Sequence, residues 1–192
     1  MRIGTRRLSA LLLAPITALT LGACGNDAAD EEADATTTTE AAEAATVEVT
    51  AVDYGYQGLP DSVPAGTKFT LKNSSTAELH EFVALRIPDE EKRPVSEIAA
   101  LPPEESGAIF QSDPATVLVT PPGGEMIPAV GDGTISEAGR YAIVCFIPTG
   151  ANPQEYVQRM QQSEGGPPQG SEGDGPPHVT KGMFAELTVT AA

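Results

Sequence analysis

From residue 47 onward the chain alternates apolar and polar positions in short runs broken by Gly, Pro and Asn, which is the pattern of strands and turns. Val47, Val49 and Ala51 alternate with Glu48, Thr50 and Val52, predicting a half-buried first strand. A turn at residues 64–67 leads into a clean alternation over 68–72. Asn73-Ser74-Ser75 breaks that strand, and His80 opens the next, over 80–85. Strand signals return at 116–120 and around 127–130. The turn Glu137-Ala138-Gly139-Arg140 feeds residues 141–146, the most apolar run and so the predicted centre of a sheet. The last strand is predicted over 183–189.

Two stretches depart from this period. Residues 94–101 have a helix-favouring start and a short apolar face, enough for one or two turns. Asn152-Pro153-Gln154-Glu155 reads as a helix start, with Asn at the cap, Pro first and Glu third. Tyr156, Val157 and Met160 supply its small apolar face, and residues 163–177, made of Gly, Pro, Ser and acids, predict loop. No internal repeat is visible. Many short strands with Gly/Pro turns and few helical insertions predict an all-β sandwich.

The beginning of the chain follows different rules. Arg2, Arg6 and Arg7 precede an apolar run over 11–21 that is too short and too rich in Ala and Thr to span a bilayer, and it reads as a signal peptide over 1–23. The run ends in Leu21-Gly22-Ala23-Cys24, which resembles the lipobox of bacterial lipoproteins, where the Cys receives a diacylglycerol. The alternative is an ordinary secretory cleavage site that happens to precede a Cys. Arg6-Arg7 matches a twin-arginine export signal poorly. Residues 24–46 carry no large apolar side chain beyond that Cys, cannot offset their ordering entropy, and predict a tether. The remaining span, 47–192, has the length of one domain. The expected location is therefore the cell membrane, lipid-anchored and facing outside the cytoplasm.

Charge narrows the partners. Without the signal, 8 basic and 27 acidic residues leave a formal charge of −19, and the domain alone carries about −12. This excludes nucleic acid as a partner. It supports either plain solubility or steering toward a basic partner protein.

The candidate chemistry lies in few residues. The chain has two histidines, His80 and His178, and, with Cys24 lipidated, one thiol, Cys145. A lone thiol in an exported domain calls for a metal, a partner or burial. Met183 follows His178 by five residues. Thiolate and thioether suit Cu(I), while imidazole suits both copper oxidation states, so the four together compromise between the two.

The order His80, Cys145, His178, Met183 resembles that of the cupredoxins, the type 1 blue copper proteins. Residues 69–85 look like their strand–loop–strand before the first His ligand, Gly139-Arg140-Tyr141 like the turn leading to the Cys, and 178–183 like their His–Met loop. The resemblance implies a Greek-key β-sandwich and one copper ion held by His80, Cys145, His178 and Met183. It also contains two departures. Thirty-two residues separate Cys145 from His178, where the family usually has a few, so 147–177 is an insertion. Glu81 follows His80, where the family often has an Asn that ties the ligand loops together. Met126 is a weaker axial candidate because it precedes the Cys strand, and Met160 suits packing of the insert helix.

Three functions fit: a one-electron carrier, a copper chaperone or storage protein, and a metal-free binding module using the 147–177 insertion. Catalysis is disfavoured. Val144 stands where copper nitrite reductases and multicopper oxidases place a His, and no further His exists for a second copper. A binuclear purple-copper centre needs a second Cys on the loop.

Overall fold

The computed structural model describes residues 45–163 and 175–192. The expected signal peptide, Cys24 and nearly all of the expected tether lie outside these residues. Ten strands form two sheets. One contains β1 (Thr46–Val52), β2 (Gly55–Gln57), β4 (Thr67–Asn73) and β8 (Thr134–Ile135), in the order β2-β1-β4-β8. The other contains β3 (Ser62–Pro64), β5 (His80–Arg86), β6 (Thr116–Thr120), β7 (Ile127–Val130), β9 (Gly139–Val144) and β10 (Phe184–Thr190), in the order β3-β10-β9-β5-β6-β7. Pairing is antiparallel except for β1 with β4 and β3 with β10. This is the all-β sandwich class that the strand pattern predicts, and the apolar run before Cys145 sits inside its sheet, between β10 and β5.

The period of 2 sets the core. Val49 and Ala51 of β1, with Phe69 and Leu71 of β4, face Phe82 and Ala84 of β5 and Tyr141 and Ile143 of β9. Phe69 and Phe82 stack across the layers with centroids 5.3 Å apart. The other face of the six-stranded sheet is covered as well. Val83, Leu85, Ala142 and Val144 pack with Val95 and Ile98 of α1 (Val95–Ala99). Two covered faces explain why β5 and β9 read as continuous apolar runs and not as alternation.

Two further helices are present, α2 (Pro103–Ile109) and α3 (Pro153–Gln162). In α3 the Asn152 side chain accepts from the backbone N–H groups of Gln154 and Glu155, as the sequence predicts. The short β2, β3 and β8 are not evident in the sequence pattern, because two or three residues carry no measurable period, and α2 is not, because none of its seven residues is buried. Two boundaries also move: β9 ends at Val144, two residues before the predicted end, so Cys145 lies just after it, and β10 starts one residue late, so Met183 lies just before it.

Candidate metal centre

Four segments converge at one end of the sandwich. His80 is the first residue of β5, Cys145 follows β9, and His178 opens a 3-10 turn, His178–Lys181, that leads to Met183. Gly182 ends that turn at φ 101°, a left-handed conformation that lets the chain double back. Its N–H reaches the Val179 carbonyl, and the Met183 N–H reaches that of His178.

The 147–177 insertion leaves this end intact because its two stems pair. The His178 N–H donates to Ile147 O (3.0 Å), Thr149 N–H to Pro176 O (3.1 Å), and Pro148 bridges Pro177. The Val179 N–H donates to Cys145 O (2.8 Å). The chain thus leaves and returns at one place, so its length costs little, since each doubling of a loop adds only ~0.6 kcal/mol.

The ligand atoms meet. His80 Nδ1 lies 3.2 Å from His178 Nδ1, and Cys145 Sγ lies 3.3 Å from the same His178 Nδ1. The three donor atoms fall within 4.8 Å of one another, and all three side chains are fully buried. Met183 is fully buried in the same core, and its carbonyl accepts the Cys145 N–H at 3.3 Å. Met126, the weaker axial candidate, is engaged elsewhere: its sulfur accepts the Leu71 N–H at 3.2 Å. Met160 is buried as packing for α3.

A second layer of carboxylates, not singled out in the sequence, holds the rings. His80 Nε2 faces Asp53 Oδ1 at 2.8 Å. The Asp53 carboxyl is in turn held by Ser75 Oγ (3.2 Å). Asn73 and Ser75 organise the turn before His80: Asn73 Nδ2 donates to Glu78 O and Thr120 O, and Ser75 Oγ accepts from the Ala77 and Glu78 N–H groups. Glu78 Oε2 accepts from the Gly150 N–H (3.1 Å) and lies 3.3 Å from His178 Nε2. That second contact is not a hydrogen bond: His178 Nε2 has no hydrogen-bond partner among the described residues. Tyr54 covers His178 with ring centroids 4.8 Å apart, and Lys181 Nζ sits 4.4 Å over the Tyr54 ring.

Glu81, at the position where the resemblance leads one to expect an Asn, joins the two ligand-bearing segments itself. It is 5% exposed, and Oε1 accepts the N–H of Phe146, the residue after Cys145, at 2.7 Å. The strand bearing His80 and the loop bearing Cys145 are therefore joined one residue beyond each ligand. Burial pushes the Glu81 carboxyl up to about 7, against the hydrogen bonds from Phe146 and Tyr156.

Electrostatics prepares the donors for a cation. Burial pushes the Cys145 thiol well up, helped by the nearby Glu81 charge, so the thiol is held protonated in the absence of metal. Burial lowers His80 against the pull of Asp53, and lowers His178 together with its neighbour His80, so both rings are neutral. Burial raises Asp53, but hydrogen bonds from His80 and Ser75 outweigh it and leave its carboxyl below the usual range. The Asp53 carboxylate assigns the His80 proton to Nε2, so the His80 Nδ1 lone pair points at the His178 Nδ1. Two imidazole nitrogens and a sulfur thus face one point with little more than the thiol proton to share. This donor set fits one type 1 copper ion, and the carboxylate–imidazole pair behind His80 is the usual support of a metal-bound His.

No family model matches the chain, and no curated protein matches it. Solved structures do. Reduced auracyanin from Roseiflexus castenholzii is 20% identical, with 77% of this chain and 98% of that chain covered and a TM-score of 0.41. Auracyanin A, a "blue" copper protein from Chloroflexus aurantiacus, is 15% identical over 77% and 100% of the two chains, with a TM-score of 0.39. Auracyanin B is 20% identical over 77% and 89%, with a TM-score of 0.34.

Proposed function

We propose that this protein is a copper-binding, cupredoxin-like electron carrier in which His80, Cys145 and His178 would hold the copper ion and Met183 would be its weaker fourth ligand. The observation that carries this reading is the meeting of two Nδ1 atoms and Sγ within 4.8 Å in a fully buried pocket. The bound copper supplies a one-electron couple. The chain's part is to keep the geometry the same in both oxidation states, through the Asp53 bond to His80 and the Glu81 bond across to Phe146. Full burial favours a carrier over a chaperone, because metal hand-over needs ligands that an incoming donor can reach, whereas an electron does not. No catalytic role is assigned.

The test is copper stoichiometry with a visible spectrum. Copper-loaded protein is expected to absorb intensely at roughly 600 nm, and Cys145→Ser to lose that band and most Cu(II) affinity. Met183→Leu should keep copper and colour while the reduction potential rises. A colourless protein that prefers Cu(I) would support the chaperone reading, and one that takes up no copper would support the metal-free module.

We also propose that Cys24 carries a diacylglycerol that holds the domain outside the cytoplasmic membrane, through the tether. No helix among the described residues is long and apolar enough to cross a membrane. Two acyl chains give stable anchoring where one gives marginal binding. Cys24→Ala is expected to move the protein out of the membrane fraction, and finding the unaltered protein soluble and unlipidated would overturn this.

A further inference from the structure

On the outer face of the six-stranded sheet, beside the segments that carry His80, Cys145 and His178, the helical insertions enclose a half-open cavity of about 980 Å³. Its floor is the sheet, with Val83, Val117 and Val119, and its walls include Leu101 near α2 and Met160 of α3. Phe146 stands at its edge, 6.5 Å from Phe110 between ring centroids. At 41% exposed, Phe146 is the one exposed large apolar side chain among the described residues. Such a residue in a concave apolar site is what an apolar ligand covers.

Of the polar side chains that line this cavity (Glu81, Ser106, Ser112, Asp113 and Thr180), Glu81 is the buried acid, at 5% exposed. Its two oxygens are unequally used. Oε1 holds the Phe146 N–H at 2.7 Å, while Oε2 has only the Tyr156 hydroxyl at 3.5 Å, beyond a good hydrogen bond. A buried carboxyl oxygen with spare capacity selects for a donor. A carboxylate ligand would be repelled by Asp113 at the rim and, above about pH 7 where its raised carboxyl is ionised, by Glu81. An ammonium would lose its hydration among apolar walls. A neutral hydroxyl on an apolar body meets neither cost, and the rings of Phe110, Phe146 and Tyr156 favour an aromatic body.

We propose that this cavity is a binding site for a neutral, apolar phenol whose hydroxyl donates to Glu81 and whose ring lies against Phe146. The site adjoins the proposed copper ligands, since Glu81 and Phe146 follow His80 and Cys145, but it needs no copper and is tested without metal. The metal-free full chain is dialysed to equilibrium against para-pentylphenol and, separately, para-pentylanisole, while the Phe146 amide resonance is followed by NMR. The expected result is saturable one-to-one binding of the phenol, about tenfold weaker binding of the anisole for want of one hydrogen bond, and a saturating shift of the Phe146 amide. Val117→Trp fills the floor of the cavity and should abolish phenol binding. Ala129→Phe fills it from β7 and should do the same, so a folding defect in one variant leaves the other as the test. Non-saturable partitioning, equal binding of phenol and anisole, or phenol binding that survives the cavity-filling change in a folded variant would each overturn the proposal.

Discussion

Asp53 shows how much of the metal centre lies one residue behind the ligands. It belongs to the turn between β1 and β2, far in sequence from His80, and it fixes that ring by a 2.8 Å contact to Nε2. With Asp53→Ala the imidazole loses its orienting carboxylate and its Nδ1 becomes a weaker, less directed donor. Copper affinity is expected to fall by about 10–100-fold with the blue band kept, as measured by competition with a chelator of known affinity. Unchanged affinity would mean that packing alone orients His80, through Tyr54 and the neighbouring core. The sequence could not single Asp53 out, because an acid in a polar turn looks like any solvated residue. Only the β1–β4 pairing, which brings Ala51 beside Asn73, carries this turn to the His80 loop. The four proposed ligands were legible for the opposite reason: in a chain with two His and few sulfurs, each is chemically unusual.

The insertions are held on by particular residues, and Arg140 in β9 is one of them. Its Nε donates to Glu186 Oε1 of β10 at 2.9 Å, and its other nitrogens donate to the carbonyls of Glu91 and Arg93, in the segment before α1. Glu186 Oε2 completes the link by accepting the Val95 N–H at the start of α1. Arg140→Met is expected to destabilise the metal-free protein by about 1–2 kcal/mol at neutral pH, a figure kept small because the pair is about one third exposed. The Arg140 guanidinium holds the Glu186 carboxyl below the usual range, against some burial. A depressed carboxyl contributes stability above its unfolded pKa and loses it as pH falls through the lower folded value. The difference between the two proteins in urea unfolding should therefore narrow on acidification below about pH 4.5 and be constant above it. A gap that stays the same into acid would assign the effect to lost packing and not to the ion pair. The same region shows why α2 escaped the sequence: none of its residues is buried, so no apolar period marks it. By contrast α3, with its Asn cap and buried Tyr156 and Met160, announced itself.

Over the molecule as a whole the dominant feature is charge. Residues 47–192 hold eight Lys and Arg against 20 acids, and two of those acids, Asp53 and Glu78, stand directly behind the histidines. Asp53 is 46% exposed in its side chain and Glu78 16%, so their field reaches solvent at the end of the sandwich where an electron would enter or leave. Lys181, over Tyr54, is the positive exception there. If the function is electron transfer to a basic partner, encounter with a cation should be accelerated and encounter with an anion slowed. Both effects should fade as the Debye length shrinks from about 30 Å at 0.01 M to about 3 Å at 1 M salt. Stopped-flow oxidation of the reduced copper form by a cationic cobalt complex is expected to slow severalfold over that range. Oxidation by hexacyanoferrate(III), an anion, is expected to speed up. Lys181→Glu should steepen both trends, since it removes the one positive charge beside the covered ring of His178. Were both reagents to show the same flat dependence, the electron would be passing through a surface that the acidic field does not reach, and a basic partner would lose its electrostatic rationale.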